Sequence, residues 1–269
     1  MKSISTKIQI LPYFVFQPLV ERVKKGEGGL ILFNVLLSVF FYRNLSMVVL
    51  QSLLAILSMS MLYGFNDYVD RNADLVNPKK NPTLTKRIGQ HHLYFILLNL
   101  LISFGCIALA IRLVDYKKGL LVAALLVVNM VYSLRVKSLP IADLIIVGIW
   151  GSLFVSIVAD VPYPLIGVVG LMTSIAHLFQ AITDREVDAQ NQVDTSATKF
   201  KNPIFLLLGF SALLSYSIYL LLGVLAGASA FIPALSFLWI KNVHTTWNVS
   251  RVYFGTTWLL ILYVTYGGF

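Results

Sequence analysis

The sequence has few charged residues for its length. Of its 269 residues, 12% are Asp, Glu, Lys or Arg and 58% are apolar, whereas soluble domains average about 25% charged and about 45–50% apolar residues. Because one membrane-spanning helix needs about 20 residues, nine of them would use roughly 180. The composition therefore excludes an ordinary soluble protein and leaves no room for a separate soluble domain.

Cysteine is nearly absent, and so are the features of a cleavable signal peptide. The single cysteine, Cys106, has no second cysteine for an intrachain disulfide and no His or Cys neighbours at metal-ligand spacing. Pro12 and Pro18 interrupt the first apolar stretch, which also lacks a small-residue cleavage site. We expect residues 1–27 to lie as a basic segment at the cytoplasmic membrane interface, ahead of a single transmembrane domain over 28–269.

Acidic residues are scarcer than basic ones. The chain has 21 Lys and Arg against 12 Asp and Glu, a formal net charge of +9. No basic tract with interleaved aromatic residues accompanies this charge, so nucleic acid is not predicted as a partner. In a membrane protein the positive-inside rule explains the excess, and the lipid bilayer is the predicted surrounding.

Nine apolar runs have about the length of a membrane-spanning helix. With the N-terminus in the cytoplasm, 17 Lys and Arg residues fall in cytoplasmic segments and four in external ones, as the positive-inside rule requires. We therefore predict an all-α, polytopic membrane bundle of about nine transmembrane helices with a cytoplasmic N-terminus. The runs are 28–43, 45–66, 91–113, 118–135, 140–159, 163–182, 203–222, 224–240 and 247–267.

Two predicted cytoplasmic connections are long and polar, Asn66 to Gln90 and Thr183 to Asn202. They follow the second and the sixth helix, so they stand four helices apart and suggest two facing half-sites. Loops on a rigid scaffold often carry function, and we expect the active site at this cytoplasmic face. Seven of the 12 carboxylates lie in these connections: Asp67, Asp70, Asp74, Asp184, Glu186, Asp188 and Asp194.

The spacing of these acids indicates a metal site. The first cluster reads N-D-x-x-D-x-x-x-D from Asn66 to Asp74, which puts three aspartates at i, i+3 and i+7 on one helical face. In the second cluster, Asp184 and Asp188 stand at i and i+4. Like charges at such spacing repel and need a cation, and oxygen ligands without His or Cys favour Mg²⁺ over zinc.

Basic residues accompany the carboxylates, among them Arg71, Lys79, Lys80, Arg185 and Lys199. Such a mixture at one membrane face suits a polyanion bridged by a divalent metal. A diphosphate fits best, because Mg²⁺ usually binds through one or two carboxylates plus phosphate oxygens. The alternative is a pair of solvated loops whose carboxylates balance the basic residues.

Over nearly its whole length the chain resembles the UbiA superfamily of intramembrane prenyltransferases. That family has nine helices, an N-D-x-x-D-x-x-x-D motif after the second and a D-x-x-x-D motif after the sixth, which match Asn66 to Asp74 and Asp184 to Asp188. Weaker matches to family motifs are Asn77 with Pro82, Tyr132 and Ser133 with Arg135 and Lys137, and Asp194 to Thr198.

The sequence also departs from the family pattern. Asn81 stands where the family has an arginine before the proline, so that diphosphate contact is expected from Lys79 or Lys80, or to be absent. No glycine lies between the second acidic motif and Thr195, and an N-terminal R-P-x-x-W segment is not recognisable.

The resemblance implies Mg²⁺-dependent transfer of a prenyl group from a polyprenyl diphosphate to a hydrophobic or aromatic acceptor, as in quinone, lipid or pigment biosynthesis. The implied catalytic and metal-binding residues are Asn66, Asp67, Asp70, Asp74, Asp184 and Asp188. Those implied to contact the diphosphate are Lys80, Tyr132, Arg135, Lys137, Arg71 and Lys199. His177 and Gln180 are candidates for the acceptor pocket, although a polar pair in a membrane helix can also bond a neighbouring helix.

Loss of diphosphate would leave an allylic cation that must be kept from water. Aromatic faces can stabilise such a cation, although packing against protein or lipid is the commoner role of such rings. Asp143, near the start of the fifth predicted helix, could cap that helix or belong to the site. The aromatic candidates are Tyr63, Phe65, Tyr68, Trp150 and Phe179.

Other functions fit part of the pattern. A membrane terpene cyclase on the same fold would use the same aspartates without an acceptor. A cation-coupled transporter also carries carboxylates in its helices, but here the acids crowd one face and are not spread through the membrane midplane. A scaffold with degenerate motifs is disfavoured because the acidic ligands are intact.

Overall fold

The computed structural model of the chain describes residues 2–42, 44–75, 81–158, 160–240 and 242–267. Side chains are described from Tyr13 onward, that of Leu113 excepted. Within this part of the chain every regular element is a helix, which confirms the predicted all-α class. The chain divides into two compact units, Met1–Leu134 and Arg135–Phe269.

The first unit is built around its third helix. In chain order it contains α1 (Lys2–Lys24), α2 (Gly29–Phe41), α3 (Leu45–Asp74), α4 (Pro82–Gln90), α5 (His92–Leu113) and α6 (Tyr116–Leu134). Each of the other helices in this set contacts α3. Helix α3 begins after Asn44, whose side chain accepts a hydrogen bond from the Ser46 backbone N–H at 2.9 Å, a common N-terminal cap.

The second unit has a similar centre. After a short 3₁₀ turn, Val136–Ser138, it contains α7 (Ala142–Ser156), α8 (Tyr163–Gln190), α9 (Ser196–Lys199), α10 (Ile204–Leu222), α11 (Val224–Ser229), α12 (Ile232–Ile240) and α13 (Val243–Tyr266). Helix α8 contacts α7, α9, α10 and α13, so it is the element on which this unit is assembled.

Five helices of the described residues are long and apolar enough to cross a membrane: Leu45–Asp74, His92–Arg112, Tyr116–Leu134, Tyr163–Gln190 and Ile204–Leu222. Shorter apolar helices lie at Gly29–Phe41, Ala142–Ser156 and Val224–Ile240. Within the described residues each of the nine predicted apolar runs overlaps helical structure, with the eighth divided between α11 and α12. The number of long apolar helices is typical of an integral membrane protein.

The outer face of α5 shows why this chain needs a lipid surrounding. Leu97, Leu101 and Phe104 recur at spacings of four and three residues and are 66%, 71% and 69% exposed. Phe95 and Leu98, which lie off this stripe, are buried. A continuous stripe of large apolar side chains on the outside is expected to contact lipid tails.

Helices α3 and α8 continue beyond their apolar parts. At about 1.5 Å per residue, a helix of the length of α3 spans about 45 Å, more than the roughly 30 Å of hydrocarbon in a bilayer. The polar connections predicted from Asn66 and from Thr183 therefore begin as helix, because residues 66–74 continue α3 and residues 183–190 continue α8. Neither segment contains Gly or Pro to end the helix.

Helix α1 is docked on the first unit through an apolar cluster. Phe14 is buried together with Leu84 and Ile88 of α4 and with Phe95 and Leu98 of α5. The rings of Phe14 and Phe95 meet edge to face with centroids 5.3 Å apart, a favoured aromatic geometry. The segment predicted at the membrane interface is thus a helix anchored on the rest of its unit.

Helices α7 and α8 approach each other backbone to backbone. A Cβ added to Gly170 would lie 2.8 Å from the Gly148 carbonyl oxygen, and one added to Gly148 would lie 3.2 Å from the Gly170 carbonyl oxygen. Small residues allow this close approach between membrane helices. The two glycines therefore set the distance between α7 and the central helix of the second unit.

We expect Gly170→Ala to lower stability by about 1–3 kcal/mol, because its methyl group would press on backbone that can move only if the helices separate. Gly209→Ala in α10 is the matched control, since an added Cβ there would meet open space and alanine favours a helix by about 1 kcal/mol. Thermal unfolding in detergent measures both. Equal unfolding midpoints for the two variants would contradict the close packing.

Candidate active site

The first acidic cluster lies on the polar end of α3. Asp67 and Asp74 are buried, with 8% and 7% exposure, and Asp70 between them is half-buried. The structure thus places the three aspartates on one helix, at the spacing that the sequence predicts for a shared face. Two buried carboxylates require compensation by cations or hydrogen-bond donors.

A cation from α1 meets the first of these aspartates. Nη2 of Arg22 lies 3.0 Å from Asp67 Oδ1, and Nη1 lies 3.4 Å from Glu27 Oε2. The guanidinium also lies over the Tyr63 ring, 5.2 Å from its centroid. Burial lowers the pKa of Arg22, but the carboxylates of Asp67 and Glu27 outweigh that effect, so this pKa lies above its usual range.

The contact between Arg22 and Asp67 is absent from the sequence-based site. The two residues are 45 positions apart, and no local spacing connects them. The sequence shows only that Arg22 follows an apolar stretch, and the positive-inside rule accounts for an arginine there without any role in a site. Only the tertiary structure therefore reveals that Arg22 contacts the first acidic cluster.

Asn66 connects the motif to the end of α6. Its Nδ2 donates to Asp70 Oδ2 at 3.1 Å, and its Oδ1 accepts from Ser133 Oγ at 3.3 Å. Tyr132, predicted to contact diphosphate, is the neighbour of Ser133 in the last turn of α6 and is half-buried. The first unit therefore brings the tyrosine-containing segment to the first acidic motif.

A small polar cavity lies beside the buried aspartates. Its volume is about 20 Å³, which is enough for about one water molecule. Both acidic and basic side chains line the cavity, so a small charged group bound there would contact charges of both signs. The lining residues are Glu21, Arg22, Lys25, Asp67, Asp74, Asn81, Leu84 and Thr85.

Asn81 has a structural role at the position where the family has arginine. Its Oδ1 caps α4 by accepting from the backbone N–H groups of Thr83 and Leu84 at 3.1 and 3.3 Å. Its Nδ2 donates to Glu21 Oε1 at 3.2 Å, which ties α4 to α1. Burial raises the pKa of Glu21, but the hydrogen bonds from Asn81 and Gln17 and the charge of Lys24 leave it below its ordinary value.

The second acidic cluster lies on the polar end of α8. Asp184 and Asp188 are half-buried, as are His177 and Gln180, which lie two turns and one turn before Asp184. Spacings of three, four and four residues put these four side chains on one helical face. The acceptor-pocket candidates and the second acidic motif thus share one stripe of α8, while Glu186 is exposed.

The predicted diphosphate contacts have varied surroundings. Arg71 donates to the Tyr68 carbonyl oxygen at 2.8 Å and lies over the Tyr68 ring. Arg135 and Lys199 are exposed, and Lys137 is half-buried in the 3₁₀ turn of the second unit. Lys80 lies outside the described residues, as do Asn77 and Lys79.

Asp143 is a structural anchor in the second unit. This fully buried carboxylate accepts from the Ser196 hydroxyl at 2.5 Å and from the Ser196 and Leu144 backbone N–H groups at 2.9 Å. Ser196 Oγ also accepts from the Ile141 N–H at 2.7 Å. Ile141 has a φ of 72°, which is strained for a β-branched residue. These hydrogen bonds connect the strained start of α7 to Ser196, in the segment that follows α8.

That segment turns through a left-handed residue. Gln192 has a φ of 58° and lies in the stretch where the family's glycine is missing, so a residue with a side chain adopts a conformation that glycine adopts more readily. Thr195 then caps α9 by accepting from the Thr198 N–H at 3.3 Å. The turn positions the start of α9, and through Ser196 the start of α7.

Four of the five aromatic candidates pack on protein groups. Tyr63 lies under Arg22, and Tyr68 stacks on Phe95 with centroids 6.2 Å apart. Two further stacked pairs are Trp150 with Phe154 and Phe179 with Trp247. These rings therefore have packing roles in their own units.

The donor chemistry of the first cluster fits Mg²⁺. Within the described residues no group of three or more His, Cys, Asp or Glu side chains is close enough to hold a metal ion. However, Asp67 and Asp74 line one cavity, and Mg²⁺ commonly takes one or two carboxylates and completes its shell with water and phosphate oxygens. The cluster suits a metal held jointly with a substrate, and not one held by protein ligands alone.

Comparison with known proteins identifies the family to which the chain belongs. The model of the UbiA prenyltransferase family matches residues 30–260. The chain belongs to that family, and with five long apolar helices among its described residues it is an integral membrane protein. No curated protein matches the chain significantly by sequence.

Solved structures of a UbiA homolog from Archaeoglobus fulgidus share the fold. The form bound to DMAPP and Mg²⁺ has a TM-score of 0.66 at 15% identity, and the form bound to GPP and Mg²⁺ has 0.66 at 16%, each covering 93% of this chain and 98% of that one. The Cd²⁺-bound form has 0.56 at 17% identity, covering 95% and 97%. At these identities the likeness concerns the fold.

We expect Asn81→Arg to destabilise α4 and its attachment to α1, because arginine cannot accept from the two backbone N–H groups. Loss of the cap costs about 1 kcal/mol. Asn81→Ser is the matched control, since serine is also a good cap. Thermal unfolding of both variants checks the prediction, and an unchanged midpoint for Asn81→Arg would mean that the cap contributes nothing.

Proposed function

We propose that the chain transfers a prenyl group from a polyprenyl diphosphate to a hydrophobic or aromatic acceptor in a Mg²⁺-dependent reaction that releases diphosphate. The observation that carries this proposal is the pair of buried carboxylates, Asp67 and Asp74, at the polar end of a membrane helix. The A. fulgidus structures with DMAPP or GPP and Mg²⁺ support the choice of donor and metal.

The polar ends of α3 and α8 would hold the metal and the diphosphate. Bound Mg²⁺ would neutralise the charge of the diphosphate and make it a better leaving group. The proposed metal ligands are Asn66, Asp67, Asp70, Asp74, Asp184 and Asp188. The proposed contacts to diphosphate oxygens are Lys80, Tyr132, Arg135, Lys137, Arg71 and Lys199.

The reaction then needs little covalent chemistry from the protein. The allylic carbon–oxygen bond breaks and its electron pair leaves with the diphosphate. A nucleophilic atom of the acceptor supplies the electron pair of the new bond to the prenyl carbon, and the acceptor releases one proton to solvent. The apolar helices around the prenyl chain exclude water from the cationic carbon, and the lipid tail of the donor enters from the bilayer.

The acceptor is proposed to bind on α8 next to the second acidic motif. His177 and Gln180 share a face with Asp184 and are half-buried, so they can offer hydrogen bonds to a polar group of an otherwise apolar molecule. Oxygen or nitrogen atoms on the acceptor would orient its nucleophilic atom toward the prenyl carbon.

We further propose that residues 28–269 form one transmembrane prenyltransferase domain with nine spans. The N-terminus and the active site would lie on the cytoplasmic side, because that orientation places most Lys and Arg residues inside. Residues 1–27 would lie at the cytoplasmic membrane interface, with α1 docked through Phe14.

Diphosphate release by the purified chain in nanodiscs tests the proposal. Geranyl, farnesyl and geranylgeranyl diphosphate are each supplied with and without Mg²⁺, first alone and then with a membrane-lipid extract. Release that needs both Mg²⁺ and the extract supports transfer, and mass spectrometry of the product identifies the acceptor. Release from the donor alone with a terpene product would indicate a cyclase. No release under any condition would contradict the proposal.

We expect Asp67→Asn and Asp184→Asn each to lower the rate of diphosphate release by at least about 100-fold, because each removes a negative metal ligand. Glu186→Gln is the control, since this exposed carboxylate lies on α8 between the two aspartates of its motif and its loss should change the rate less than twofold. Near-normal rates in both aspartate variants would rule out the metal assignment.

A further inference from the structure

The proposed metal ligand Asp67 already has a cation beside it. Nη2 of Arg22 bonds its Oδ1 at 3.0 Å, and the side chains of Arg22 and Asp67 are only 17% and 11% exposed. Solvent and salt screen a partly buried ion pair of this kind less than a surface pair. A divalent cation that binds Asp67 therefore meets a positive charge at the same carboxylate.

Arg22 has a second set of partners within reach. Its other terminal nitrogen, Nη1, bonds Glu27 Oε2 at 3.4 Å, and its guanidinium faces the Tyr63 ring at 5.2 Å. If Arg22 separates from Asp67, its guanidinium still contacts the Glu27 carboxylate and the Tyr63 ring. Its release thus does not create an uncompensated buried charge, which would be strongly unfavourable.

We propose that Arg22 is an exchangeable counter-cation of Asp67. The guanidinium neutralises the carboxylate until a divalent cation binds, and it then remains with Glu27 and Tyr63. This inference rests on the proposed function, because it assumes that Asp67 is a metal ligand. It adds a role for α1, namely that this helix supplies the charge that competes with the metal.

The exchange needs only a side-chain movement. Helix α1 is held on its unit by Phe14 in the apolar cluster and by Glu21, which accepts from Asn81 at 3.2 Å. Neither attachment involves Arg22 or Asp67. The helix can therefore stay docked while the guanidinium changes partner, and the small cavity that Arg22 and Asp67 line gives room for an arriving ion.

Titration of the purified, donor-free protein with Mn²⁺, followed by the EPR signal of free Mn²⁺, tests the exchange without turnover. Arg22→Gln removes the competing cation, so we expect the Mn²⁺ affinity to rise at least about fivefold over that of the wild type. This is the usual scale of coupling between two sites. Glu27→Gln removes the alternative partner, which should hold Arg22 on Asp67 and weaken Mn²⁺ binding. In the double variant Glu27→Gln should have no further effect, because it acts through Arg22.

Lys24→Gln is the matched control. It removes a positive charge from the same helix, but this side chain is 65% exposed and pairs with Glu21, so solvent screens its effect on Asp67. We expect a change in Mn²⁺ affinity of less than about twofold in this variant.

Two results would overturn the exchange while the metal site stands. One is that the wild-type protein binds Mn²⁺ and the Arg22→Gln variant binds it with equal or lower affinity. The other is an effect of Glu27→Gln that persists without Arg22. Glu27→Gln keeps the arginine and tests the idea separately if Arg22→Gln fails to fold. If no variant and no wild-type protein binds Mn²⁺, the metal assignment of the proposed function fails together with the exchange.

Discussion

Buried carboxylates at the end of a membrane helix must be compensated, and the first unit is organised around that need. Asp67 and Asp74 lie on the polar end of α3. An arginine from α1 meets Asp67, and Asn66 bonds Asp70 while accepting from the end of α6. Helices α1 and α6, both distant in sequence, thus converge on one short acidic segment of α3, α1 with a charge for Asp67 and α6 with a donor for Asn66.

The second unit also carries its acids on a long helix, but different contacts hold the neighbouring segment. Helix α8 carries its acids on a polar end that continues the membrane helix, as α3 does. The segment after it is fixed by Asp143, which bonds Ser196. Long helices position side chains more accurately than loops. In each unit the acids therefore stand on a long helix and not on a loop.

The sequence predicted features that depend on neighbours along the chain. The all-α class, the apolar runs and the shared face of Asp67, Asp70 and Asp74 follow from helical periodicity. The acidic segments were expected in connections because their polarity resembles that of loops, although no residue there ends a helix. The pairing of Arg22 with Asp67 depends on packing across 45 residues, and the use of Asn81 as a cap depends on where α4 starts, so neither could be predicted.

The central claim is that the acidic helix ends bind a prenyl diphosphate together with Mg²⁺. Calorimetric titration of the wild-type chain with geranyl S-thiolodiphosphate, whose carbon–sulfur bond resists cleavage, tests it directly. The account predicts saturable binding that requires Mg²⁺ and is lost on chelation by EDTA. Equally strong binding with and without Mg²⁺, or no binding in either condition, would contradict it.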